Sequence, residues 1–181
     1  NSSKVYRKTK DKLHNLEHTK LKVSFDFDKK ELIGEAWVTL SAHFYPQRKV
    51  VLDAKAMRIH YVKLNNKELD FNYNNSQITI DLPREYLKDE KLTLYISYIA
   101  RPEKVVQKGS AAITAAKGLY FVNADGSDKR VATQVWTQGE TEASSCWFPT
   151  IDSPNQKTSQ EIYMTVPDRF KTLSNGKLEN Q

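Results

Sequence analysis

The sequence predicts an all-β fold, a large curved antiparallel sheet or β-sandwich, from two observations. Short segments of alternating apolar and polar residues recur at close spacing, and almost no helical periodicity lies between them. Turn-forming Asn, Asp, Gly and Pro clusters punctuate the segments, which favours hairpins over strand–helix–strand units.

From Thr19, Leu21, Val23, Phe25 and Phe27 face one way and Lys20, Lys22, Ser24 and Asp26 the other, the pattern of a half-buried strand. Asp28-Lys29-Lys30 turns the chain into a returning arm, residues 31–41, in which Gly34, Ala36, Val38 and Leu40 alternate with Glu35, Trp37 and Thr39. Further strands are expected over residues 49–52, 57–64, 68–73, 77–82 and 92–100, with turns at Asn65-Asn66-Lys67 and Asn74-Asn75-Ser76. Residues 84–89 read as a helical turn. Residues 101–116, which contain Pro102 and Gly109, read as a long surface connection. Strand character returns at 119–122, 131–137 and 159–166, and Asn175-Gly176 between apolar arms predicts a hairpin over 172–178. The expected organisation is a polar N-terminal lead, residues 1–17, followed by one β domain over 18–181 that breaks off before its last strands.

With 181 residues the chain can bury a core without disulfides or metal, and its single cysteine, Cys146, excludes both an internal disulfide framework and a cysteine zinc cage. The net charge of +6 is spread along the chain and interleaved with acids, so no nucleic-acid partner is expected. The sequence contains no apolar run long enough for a membrane span and no signal-peptide pattern; targeting segments would lie outside it, export stays open, and the compartment is left unassigned.

Several groups are candidates for chemistry. His14-Asn15-Leu16-Glu17-His18 matches the inverted zincin pattern, but that pattern needs a helix to put both imidazoles on one face, and the strand signal begins immediately afterwards. His43 and His60 are isolated. Cys146, beside Trp147 and Phe148, reads as a small buried residue. The richest stretch is residues 134–142, where a strand runs into Gln138 and Glu140 with Gly139 between them. Alternation would turn both side chains to one side, an amide oxygen and a carboxylate suited to a primary ammonium; a solvated strand end is the plainer alternative.

Gln138-Gly139-Glu140, followed by Phe148-Pro149-Thr150-Ile151-Asp152-Ser153-Pro154, resembles the Gln-x-Glu and Phe-Pro-x-x-Asp-x-Pro signature of the N-terminal domain in the aminopeptidase N family of zinc metallopeptidases. Gly118-Leu119-Tyr120 and the opening hairpin resemble the same domain. The resemblance implies a saddle-like β domain in which Glu140 binds the free α-amino group of a peptide and Gln138 lines the adjoining side-chain pocket. It also implies a downstream catalytic domain that supplies a His-Glu-x-x-His zinc site, so no cofactor is expected in this segment, which would be inactive alone. Its partners would be the N-terminus of a peptide substrate and that catalytic domain. Ser145 and Thr150 depart from the Arg and Cys common in the family. The alternative is a stand-alone β-sandwich for adhesion or carbohydrate binding, with Trp37, Trp136 and Trp147 as stacking surfaces.

Overall fold

The computed structural model describes residues 11–106 and 116–180. Its first hairpin joins β1 (His14–Asp26) to β2 (Glu31–Ala42). The turn is closed by Lys30 in the left-handed region, φ 53°, and by the Lys29 amide donating to Asp26 Oδ1 at 2.9 Å. β1 begins five residues ahead of the expected alternation because Glu17 is an extra residue: Leu16 pairs with Leu40 and His18 with Thr39. This bulge flips the parity, so that His14 and Leu16 are buried before it and Thr19, Leu21 and Val23 after it. The inverted zincin pattern therefore lies on a bulged strand, where the spacing that suits a helix gathers nothing.

Next come β3 (Gln47–Asp53), β4 (Met57–Leu64), β5 (Lys67–Leu69), β6 (Phe71–Tyr73), β7 (Gln77–Tyr86) and β8 (Lys91–Ala100). β9 (Leu119–Val122), β10 (Gln134–Thr137) and β11 (Ser159–Thr165) follow them. Six strands form one sheet in the order β11-β1-β2-β8-β4-β5, and β3-β7-β6 form a second. All pairings are antiparallel except β1 with β11, which run parallel from His18↔Ser159 to Ser24↔Thr165.

The expected strand over 68–73 divides at Asp70: β5 pairs with β4 in the larger sheet and β6 with β7 in the smaller. There the chain passes from the larger sheet to the smaller, as it also changes sheet at β2–β3, β3–β4 and β7–β8. The core lies between them, with Leu21, Ala36, Val38, Leu94 and Ile96 from one face meeting Val50, Leu52, Ile78 and Ile80 from the other. Each large aliphatic side chain removed from water in this way contributes about 1.5 to 3 kcal/mol.

Two turn expectations give way. Residues 84–86 extend β7 instead of coiling, because Arg84 and Glu90 clamp the β7–β8 connection, with Arg84 Nη2 donating to Glu90 Oε1 at 2.8 Å and the Leu87 amide to Glu90 Oε2 at 2.8 Å. The 172–178 segment forms no hairpin: Leu173 is 96% and Leu178 70% exposed, so neither arm has an apolar surface to cover. The 101–116 connection lies partly outside the described residues; its start carries a single 3-10 turn, Pro102–Lys104.

Candidate functional site

β9 and β10 form a two-stranded ribbon, Leu119↔Thr137 through Val122↔Gln134. Alternation gives the ribbon two unlike faces. Leu119, Phe121 and Val135 pack on the core, while Tyr120 and Trp136 stack on each other with centroids 4.4 Å apart and planes at 13°. The ladder gains one further step beyond the strand, where the Gln138 amide donates to the Gly118 carbonyl at 2.9 Å. Gly118 has φ +70°, and the chain there passes so close to the next turn that no side chain fits.

β10 ends at Thr137, and residues 140–143 form a turn, closed by the Ala143 amide donating to the Gly139 carbonyl at 3.0 Å. The Glu140–Thr141 peptide bond is cis. Strand alternation therefore does not relate Gln138 to Glu140; the turn sets their relative direction. Gln138 is half-buried and Glu140 exposed. Among the described residues no hydrogen bond or ion pair engages the Glu140 carboxylate. A carboxylate in that condition keeps its full capacity for an incoming cationic donor.

The turn is tied to the β-sandwich from behind. Asp53, at the end of β3, exchanges backbone bonds with Thr150, its amide donating to Thr150 O at 2.7 Å and Thr150 N to its carbonyl at 3.0 Å. Its carboxylate accepts from the Asp152 amide at 3.1 Å and from Gln77 Nε2 at 2.9 Å. Asp152 in turn accepts from the Ser145 amide at 2.9 Å, so this acid of the signature braces the turn, as does Asp53, which no sequence motif marked. Lys55 adds its amide to Ser145 O at 2.7 Å and its Nζ to Glu142 O at 2.5 Å. Asp53 and Lys55 lie some ninety residues ahead of the turn in sequence, and only the fold brings them to it.

Cys146 is buried behind the same turn, its Sγ 3.6 Å from Ala116 O. Burial pushes the thiol up to about 11; nearby Lys55 pulls the other way without prevailing, and Asp152 adds to the rise. Alkylation of the folded protein at pH 8 is therefore expected to be slower than that of the denatured chain by about 100-fold or more, followed by mass spectrometry.

The remaining candidates do not converge. His14 is buried, and desolvation lowers its pKa. His18 engages Ser159 Oγ at 2.8 Å and Glu161 at 3.2 Å, and His43 Nδ1 lies 2.8 Å from Asn15 Oδ1. His60 is exposed. Among the described residues no three His, Cys, Asp or Glu side chains are gathered as a metal site, and no helix is long and apolar enough to cross a membrane.

A two-layer β-sandwich with a side ribbon and a braced, acid-bearing turn is the class of module defined by these features. The chain belongs to the peptidase M1 N-terminal domain family, whose model matches residues 15–181. Its relatives include transcription initiation factor TFIID subunit 2 of Gallus gallus, 22% identical over 86% of this chain and 16% of that protein. Another is leukotriene A-4 hydrolase of Xenopus laevis, 21% identical over 92% of this chain and 27% of that protein. The chain thus spans between about a sixth and a quarter of these relatives.

Among solved structures, a two-domain M1 zinc metallopeptidase bound to L-arginine superposes with a TM-score of 0.71 at 19% identity, covering 86% of this chain and 33% of that one. An M1 zinc metallopeptidase from Deinococcus radiodurans bound to a Tyr-Ser-Ala substrate gives 0.69 at 19% identity, covering 85% and 33%. Native yeast leukotriene A4 hydrolase gives 0.67 at 20%, covering 86% and 24%. These structural likenesses establish the fold, and with it the all-β architecture expected from the sequence.

Proposed function

We propose that this chain is the substrate-anchoring N-terminal domain of a zinc-dependent aminopeptidase. Glu140 receives the free α-amino group of the peptide, and Gln138 borders the pocket for its first side chain. The observation that carries the reading is the state of Glu140: an exposed, unpaired carboxylate on a turn whose backbone is fixed by hydrogen bonds from the sandwich. A carboxylate held in this way binds an ammonium through charge-assisted hydrogen bonds without first reorganising.

Among the described residues no metal-ligating cluster is gathered; in this reading zinc is held by a downstream catalytic domain, the second partner of the chain. There zinc would polarise the scissile carbonyl and lower the pKa of a bound water. The work of this domain is positional. An amine held at a fixed distance from the reacting centre admits one residue beyond the anchor, which restricts cleavage to the N-terminal peptide bond.

The test uses the full-length protein. Glu140→Ala is expected to lower kcat/KM for an unblocked peptide amide by about 30- to 100-fold, roughly 2 to 3 kcal/mol of transition-state binding. Turnover of the N-acetylated peptide should stay unchanged. Equal kinetics for variant and parent on the unblocked substrate would remove the anchoring role.

The similarity to a transcription initiation factor subunit favours a second reading, a binding module without peptidase activity, because one fold serves unlike functions. A full-length protein that takes up zinc yet leaves free-amine peptides intact would decide for it.

A further inference from the structure

The connection between β3 and β4 does more than join two strands. Its residue Lys55 reaches the acid-bearing turn twice, through its amide to Ser145 O at 2.7 Å and through Nζ to Glu142 O at 2.5 Å. Glu142 lies two residues past Glu140 within the same turn. A cationic donor on a carbonyl forms one of the stronger hydrogen bonds available to a backbone, and here it lands on the stretch whose path determines where the Glu140 carboxylate sits.

Lys55 is itself held. The Ala54 amide donates to Ser76 O at 2.8 Å and the Ala56 amide to Asn75 O at 2.9 Å, so both of its neighbours are pinned to the β6–β7 turn. Tyr73 Oη accepts from the Met57 amide at 2.7 Å and donates to Ala54 O at 2.9 Å, closing the connection from the other side. Ala56 adopts φ 53°, a conformation these bonds over-determine. Lys55 thus links a fixed part of the sandwich to the turn 87 residues further along the chain.

We infer that Lys55 is a positioning residue for the Glu140 carboxylate, holding the 140–143 turn so that the carboxylate is preset for the substrate amine. The inference rests on the amine-binding reading of Glu140 and deepens it. The effect of Lys55 passes through Glu142 and the turn. With the Nζ bond removed, the turn keeps its backbone bonds but loses the lysine's tie at Glu142. The carboxylate then samples more directions, and the substrate amine must order it on binding.

The experiment is a double-mutant cycle in the full-length zinc-loaded protein, with kcat and KM measured separately on an unblocked peptide amide. Lys55→Met is expected to raise KM by about 5- to 10-fold with kcat changed by less than 2-fold, and Lys55→Arg, which can still reach the carbonyl, to restore most of it. In a Glu140→Ala background Lys55→Met should have no further effect, since the group it positions is gone. Thermal unfolding and zinc content are followed for every variant. Losses that multiply across the two sites, or a Lys55→Met effect that follows a drop in melting temperature and is equal on the N-acetylated peptide, would overturn the inference. So would unchanged KM in Lys55→Met beside a clear loss in Glu140→Ala. If Glu140→Ala alone is without effect, the amine-binding reading itself fails, which is a separate result.

Discussion

Gly118→Ala is expected to destabilise the protein by about 4 kcal/mol, combining left-handed strain with overpacking. Gly118 has φ +70°, where a Cβ costs roughly 1 to 2 kcal/mol before any contact is considered. The contacts are worse. A Cβ at this position would stand 2.0 Å from the Ala143 carbonyl oxygen and 2.8 Å from Cys146 Cβ, so relief must come from backbone movement and not from a swinging side chain. Both neighbours belong to the turn-and-signature segment that carries Glu140, and Gly118 O is also the acceptor for the Gln138 amide. The variant should therefore lose stability and displace the candidate site together. Gly126→Ala is the control, because Gly126 shares the left-handed conformation, φ +65°, but would meet only Thr133 Oγ1 at 3.8 Å. It is expected to cost about 1 kcal/mol, the conformational share alone. Urea unfolding of both variants separates the two contributions, and similar losses would show that close approach at Gly118 counts for nothing.

That contrast also marks what could be read from residues alone. The β-sandwich was legible because its strands alternate cleanly: β4, β8 and β9 fall within a residue of where periodicity puts them. The start of β1 was hidden by one bulged residue, Glu17, that reverses parity and makes a continuous strand look like a polar lead. The division at Asp70 was hidden for a related reason, since two strands in different sheets separated by one residue keep the alternation of a single strand. The Asn175-Gly176 signal predicted a hairpin from turn chemistry, but a hairpin without a surface to cover lacks the packing that holds it together. At the candidate site, Gln138 and Glu140 stood out by residue type and spacing. Their relation did not follow, because alternation ends with β10 and a turn intervenes. Asp53 and Lys55 carried no local signal. Their role arises from non-local hydrogen bonds, which no window of sequence contains.

Gly34→Ala is expected to cost about 3 kcal/mol, at the upper end for one added methyl in a packed core. In the sequence Gly34 continues the apolar side of β2, and in the sheet it lies between Val23 of β1 and Tyr98 of β8. Tyr98 is fully buried, and its ring lies across the glycine: a Cβ there would stand 2.3 Å from Cζ, 2.5 Å from Oη and 2.7 Å from Cε1. The tyrosine fills the volume that the glycine leaves empty, an arrangement by which an aromatic residue on the adjacent strand shields a strand glycine. Ring and glycine should therefore be coupled: in a Gly34→Ala protein, Tyr98→Leu is expected to be far less damaging than in the parent, because the ring is what the methyl displaces. The hydroxyl contributes in the opposite sense. Tyr98 Oη has no hydrogen-bond partner among the described residues, and burial holds the phenol well above its ordinary pKa. Removing a buried, unpaired hydroxyl takes away a desolvation cost, so Tyr98→Phe should leave stability unchanged or raise it by about 1 kcal/mol. It should also soften the Gly34→Ala loss only slightly, since Cζ remains the closest atom. Denaturant melts of the three single variants and the two double variants test both points, and a Tyr98→Phe protein less stable by more than about 1 kcal/mol would mean that the hydroxyl is bonded after all.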